Sequence, residues 1–145
     1  MMNRWKTAAC AAALGVLSHL ALASDTPVGT WKNIDDETHE AKALIQISQD
    51  ANGELTGKIV KLLQHPDAVC ENCDGALKGK PDLGMTILWG LKQEGDSWTG
   101  GKILDPKSGR VYSAKMKVLD EGRQLEVRGF LGISLLGRSQ IWERQ

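Results

Sequence analysis

Polar and apolar residues alternate one by one through three separate runs of this chain, and that period admits little except β-structure. In 110–119, Tyr112, Ala114, Met116 and Val118 share one face, while Ser113, Lys115 and Lys117 share the other. In 124–131, Leu125, Val127, Gly129 and Leu131 oppose Gln124, Glu126 and Arg128. In 42–48, Ala43, Ile45 and Ile47 oppose Lys42, Gln46 and Ser48, with Leu44 out of step. Successive side chains of a strand leave opposite faces, so each run makes one dry face and one wet face. Past residue 23, no run of eleven or more residues carries a helical period.

Turn signals separate these runs at short intervals: "QDANGE" (49–54), "QEGDS" (93–97), "DPKSG" (105–109) and "DEGRQ" (120–124). In the third, Asp105 can bond its own backbone ahead, Pro106 presets φ, and Gly109 can take the positive φ that closes a hairpin. The pattern predicts eight strands, at 28–34, 42–49, 54–63, 85–93, 97–104, 110–119, 123–131 and 137–144. Eight antiparallel strands in sequential order, each with one apolar face, can close into an up-and-down barrel that has no exposed edge. The expected fold is therefore all-β. At this strand number the interior either fills with side chains or holds one small molecule. The predicted inward faces include Ala43, Gly57, Gly100, Ala114 and Gly129, which either make room or ease a tight bend.

The first 23 residues have a different character. Arg4 and Lys6 precede an apolar run from Thr7 to Leu22, and Ala21-Leu22-Ala23 places small residues where a signal peptidase reads them. The reading is a signal peptide over 1–23, cleaved after Ala23, followed by one domain over 24–145. The run is too short for a bilayer span, which takes about 20 apolar residues, so no transmembrane segment is expected. The location expected is periplasmic or secreted. Without Arg4 and Lys6, 16 basic residues face 18 acidic ones, and no basic face suggests nucleic acid.

Gly29-Thr30-Trp31 opens the first predicted strand. It resembles the start of lipocalin-like barrels, in which the tryptophan plugs the closed end under an arginine from the last strand; Arg138 and Arg144 are the candidates here. A longer constellation occurs in order: "GTWKNIDDETHEAKALIQI", "GELTGKIVKL", "CENC", "KPDLGMTIL", "WTGGKILDPKSGRVYSAKM" and "LEVRGFLGISLLGRSQIWER". Together these segments resemble a family of exported bacterial proteins, domain of unknown function 2147. The resemblance covers essentially all of 24–145. It implies a lipocalin-like barrel outside the cytoplasm, with no established activity, ligand or catalytic residue.

Cys70-Glu71-Asn72-Cys73 lies in the longest predicted loop and admits three readings. A disulfide between Cys70 and Cys73 needs no other residue and suits an oxidising compartment. Zinc would need four ligands, and His65 with the two cysteines gives three, with Asp67, Asp74 or His39 as the fourth. A redox-active pair would want a helix N-terminus to lower a thiol pKa, whereas the flank "DGALKGKP" holds glycines, lysines and a proline. No metal or cofactor is assigned.

No catalytic constellation stands out. Beyond residue 23 the histidines are His39 and His65, both in predicted loops, and "GISLLG" around Ser134 has the wrong glycine spacing for a nucleophile elbow. "DDETHE" (35–40) gathers carboxylates without calcium-loop spacing and reads as a solvated hairpin. The candidate ligand-binding residues are Trp31, Trp89, Tyr112, Met116, Arg138 and Trp142: parity points Trp89, Tyr112 and Met116 inward and puts Arg138 on the same face as Trp142, while the resemblance makes Trp31 the floor. Aromatic and thioether groups around a gap suit an apolar or amphipathic molecule, and Arg138 would either cover Trp31 or meet an acidic head. Two functions follow: a carrier or sensor of a small amphipathic molecule in the cell envelope, or a filled barrel that meets another envelope protein. "FLGISLLG" (130–137) is either an inward plug or an exposed lid or partner contact.

Overall fold

Strands form where the alternation and the turn signals place them. The computed structural model describes residues 25–145, so the signal-peptide reading of 1–23 lies outside the described residues. The strands are β1 (Gly29–Ile34), β2 (Ala41–Gln49), β3 (Leu55–Leu62), β4 (Thr86–Glu94), β5 (Ser97–Asp105), β6 (Arg110–Leu119), β7 (Gln124–Phe130) and β8 (Gly137–Arg144). Each pairs antiparallel with its sequence neighbours, and β8 closes on β1 through Trp31↔Arg144 and Lys32↔Glu143. The barrel is closed.

The turns use the expected chemistry. Asp105 Oδ1 accepts the Lys107 amide at 3.0 Å, and the Asp105 carbonyl accepts the Gly109 amide at 2.8 Å. Asp50 Oδ1 likewise accepts the amides of Asn52 and Glu54. Each turn thereby satisfies backbone donors that the strands leave unpaired.

One part of the parity reading needs correcting. β4 is bulged against β3 at Ile87 and again at Gly90 (φ +76°), and β5 is bulged against β6 at Gly100 (φ +75°), while the β4–β5 register is kept from Trp89↔Lys102 to Lys92↔Thr99. Glycine enters this backbone region without the Cβ penalty, and a bulge shifts every later side chain by one face. The bulge at Ile87 leaves both Ile87 and Leu88 facing inward and moves Trp89 to the outer wall beside Leu77, Leu83 and Met85, and the bulge at Gly90 turns Leu91 back inward. Gly101 is buried where Gly100 was expected, and Gly100 is exposed.

The closed end of the interior is filled. Trp31, Ile45, Ile47, Leu55, Leu88, Leu91, Met116, Leu125 and Trp142 are all but inaccessible to water. Each such burial stabilises the fold by about 1.5–3 kcal/mol. Trp31 is the floor: its indole N–H donates to the Pro27 carbonyl at 2.7 Å, and the Arg144 guanidinium lies 4.1 Å over its ring. Arg144, not Arg138, is thus the arginine that covers the plug. A Cβ on Gly29 would stand 2.7 Å from the Arg144 guanidinium, so the glycine two residues before the tryptophan keeps that space free. At the other end stand the β1–β2, β3–β4, β5–β6 and β7–β8 loops, and there the barrel opens.

Candidate functional site

Above the Trp31 floor a cavity of about 980 Å³ opens between these four loops. Its lower wall is apolar, with Ala43, Ile45, Ile59, Ile103, Tyr112 and Val127, and Trp142 borders it from β8. Of the small residues expected inward, Ala43 and Gly129 border this space, whereas the place beside Gly57 is filled by Leu88 and Ile45. A Cβ at Gly129 would sit 3.4 Å from Ile103 and 3.5 Å from Tyr112, an ordinary contact distance. Of the six predicted site residues, Tyr112, Arg138 and Trp142 line this space; Trp31 and Met116 lie in the filled floor, and Trp89 lies outside.

The rim is polar and largely self-satisfied. Arg138 donates from Nε to Asp36 at 3.0 Å and from Nη1 to Glu37 at 3.0 Å, with a second bond from Nη2 to Asp36. Gln140 donates to Asp36 at 3.2 Å, while its Oε1 accepts the Trp142 indole N–H at 3.0 Å and the Asn33 amide at 2.9 Å. The hydrogen bonds from Arg138 hold the Asp36 carboxyl below the usual carboxylate range. Arg138 therefore meets acids of its own chain, in "DDETHE", and that loop is an ion-paired rim rather than a free hairpin. Lys42 is likewise paired, with Glu40.

Asp82 differs from the rest of the rim. It lines the cavity, and among the described residues its Oδ1 is the one buried side-chain oxygen without a hydrogen-bond partner. Burial pushes its carboxyl up, and the like charge of Asp105 pushes it further. A carboxyl in that setting wants a proton or a hydrogen-bond donor. Parity could not find it, because Asp82 stands in a long loop that has no period.

That loop is held by the cysteines. Cys70 and Cys73 form a disulfide, with Cα atoms 5.3 Å apart, and both are buried. The zinc and dithiol readings drop out, because the thiolates they need are oxidised. The Cys70 amide donates to Lys80, the Gly79 amide donates to Cys70, and Asn72 Nδ2 donates to the Lys107 carbonyl at 2.9 Å. The disulfide segment therefore lies on the β5–β6 turn. Gly109 (φ +71°) permits the contact, since a Cβ there would overlap the Asn72 carbonyl. One side of the mouth is thus a cross-linked wall.

Opposite it, Leu131, Ile133, Leu135 and Leu136 of the β7–β8 loop are exposed. The loop is a rim feature and not a plug. Its backbone is fixed by Arg128, whose Nε donates to the Ser134 carbonyl at 2.7 Å and whose Nη1 donates to Ser139 at 3.1 Å. Arg128 has the outward parity expected of it, but it is a loop anchor and not a solvated side chain. Among the described residues, no group of three or more His, Cys, Asp or Glu side chains is placed to hold a metal ion. No helix of the described residues is long and apolar enough to cross a membrane.

Comparison with known proteins places this architecture. Among solved structures, the chain is similar to protein HP1028 from the human pathogen Helicobacter pylori, whose description assigns it to the lipocalin family. The two share 16% identity with a TM-score of 0.71, over 81% of this chain and 82% of the other, which is a likeness of fold alone. No curated protein matches the sequence. The model of one family, described as "Uncharacterized protein conserved in bacteria (DUF2147)", matches residues 29–144, which is the barrel from its first strand to its last. The chain belongs to that family, as a lipocalin-like barrel closed at one end and open at the other.

Proposed function

We propose that the protein binds one small apolar or amphipathic molecule in the barrel mouth, as a carrier or sensor in the bacterial cell envelope. The single observation behind this reading is the cavity of about 980 Å³ over an apolar floor. That is the upper end of the 300–1,000 Å³ common for small-ligand sites. The apolar part of the ligand would lie along Ile45, Ile103, Tyr112 and Val127. Its polar end would lie at the rim, where Asp82 lacks a donor and Arg138 is already paired. A head that donates a hydrogen bond, such as a hydroxyl or an ammonium, suits this rim better than a carboxylate does. The envelope location is supported by the buried disulfide, which suits an oxidising compartment, and by the expected signal peptide.

The test is native mass spectrometry of protein purified from cells that express it, followed by uptake of single-chain alcohols, amines and acids by the delipidated protein. Gly129→Leu projects a larger side chain into the free space and should abolish uptake while the barrel stays folded. Bare protein that takes up none of the three classes would leave the other function, a barrel that serves as a protein-interaction module.

A further inference from the structure

The β7–β8 loop combines features that a soluble protein does not ordinarily keep together. Four of the six residues from Leu131 to Leu136 are large aliphatics. Their exposures are 57% for Leu131, 59% for Ile133, 83% for Leu135 and 69% for Leu136. Exposed apolar groups scattered singly mean little, but a contiguous set marks an interaction site. These side chains are not out by slackness. The loop closes on itself through the Leu136 amide to the Ile133 carbonyl at 3.0 Å, and Arg128 pins its middle at Ser134.

The wall below the loop carries the complementary signal. Counting down from it, Phe130 pairs with Ser113, and Lys102 Nζ donates to Ser113 at 3.1 Å. One outward row further, Lys115 pairs with Arg128. Among the described residues, none of Lys102, Lys115 and Arg128 forms an ion pair, whereas the acids on the neighbouring β1–β2 loop, Asp36 and Glu37, are engaged by Arg138. Outward rows are about 7 Å apart. The two lysines therefore stand roughly 7–14 Å behind the apolar tip.

We infer that this loop docks the open end of the barrel on an anionic phospholipid bilayer, the aliphatic tip entering the acyl boundary while Lys102 and Lys115 face the headgroups and Arg128 holds the loop. An interfacial apolar face lies about 5–10 Å deep, which leaves the lysines at headgroup level. A protein partner fits less well, because protein interfaces rely on Trp, Tyr and Arg anchors and this tip is aliphatic throughout. Leu131 and Leu136 also line the cavity, so docking would bring its mouth to the lipid. The inference does not depend on what the cavity holds.

Sedimentation with vesicles tests it, using phosphatidylglycerol mixed with phosphatidylethanolamine against pure phosphatidylcholine. Ile133→Ser/Leu135→Ser removes two tip residues that do not line the cavity, so small-molecule uptake should persist. Protein should pellet with the anionic vesicles, far less with the neutral ones, and the double variant should lose at least tenfold in partition. Lys102→Gln/Lys115→Gln should weaken anionic binding about fivefold per charge, and added salt should erase that difference. Absence of vesicle binding, or equal binding by the tip variant, overturns the inference. So does a concentration-dependent dimer that the tip variant abolishes in the absence of any lipid binding. Retained uptake in the tip variant keeps this outcome separate from that of the cavity reading.

Discussion

Replacing Arg144 with alanine removes the clasp that ties both ends of the barrel domain to its floor. Arg144 donates from Nη2 to the Thr26 carbonyl at 2.7 Å, from Nη1 to Val28 at 2.9 Å and from Nε to Gly122, while its guanidinium covers Trp31. Hydrogen bonds from a charged donor are worth about 1.5–3 kcal/mol each, and the partly solvated guanidinium argues for the low end. Water recovers the bond to Thr26, which lies in an exposed setting, so the Val28 and Gly122 bonds carry about 3 kcal/mol. The cation over the ring adds about 1 kcal/mol. Burial opposes part of this, since it disfavours the charged form of Arg144. The expected loss is about 3 kcal/mol, a large share of the 5–15 kcal/mol typical of a domain. Urea unfolding followed by circular dichroism would read it as a lower midpoint at unchanged slope. Arg144→Lys keeps the charge but reaches fewer carbonyls, so it should lose about half as much. A loss below about 1 kcal/mol for Arg144→Ala, at unchanged slope, would refute the clasp.

Asp82→Asn probes the unpartnered carboxyl. Its folded pKa is raised above the ordinary 3.8, so its relative contribution is full below that value and is lost as pH rises through the folded one. Wild type and variant should melt together near pH 3, and the variant should melt higher near pH 7; a constant or reversed gap counts against the assignment. Asp36→Asn should show the opposite sign, because Arg138 lowers that pKa: its deficit at neutral pH should begin to shrink as pH falls through 3.8 and vanish only below the lowered folded pKa. Cys70→Ser/Cys73→Ser opens a very short ring, which costs about 2 kcal/mol at most. Hydrogen exchange should quicken over 66–82 and leave the strands unchanged, and global loss of protection would contradict a local role. Gly109→Ala should loosen the same segment with the disulfide intact, at a cost of about 2 kcal/mol or more from backbone strain and the displaced Asn72.

The barrel was legible because its evidence is periodic. Ala43, Ile45 and Ile47, or Ala114 and Met116, announce a buried face in three or four letters, and the aspartate–glycine turns between strands have local chemistry. Trp89 escapes that logic because β4 carries an extra residue at Ile87, which moves the register, and nothing in a period of two says where. Tyr112 lies on the face that alternation gives it, and Trp142 is buried, because the β6–β7 and β7–β8 registers run unbroken. Parity sets Arg138 only on the same face as Trp142, and its partners Asp36 and Glu37 are about a hundred residues away and belong to a loop. Asp82 and the seating of Cys70 on the β5–β6 turn are contacts between loops, set by tertiary fit, and no local pattern encodes them.

The bulge that turns Trp89 outward also decides what light can report. Among the described tryptophans, Trp31 and Trp98 are sunk in the packed floor and Trp89 faces away, so Trp142 alone borders the cavity. An occupant would perturb one emitter in four, the one whose indole N–H is already tied to Gln140. Trp142→Phe should therefore make loading invisible to ultraviolet emission while the glow of the other three indoles stays the same.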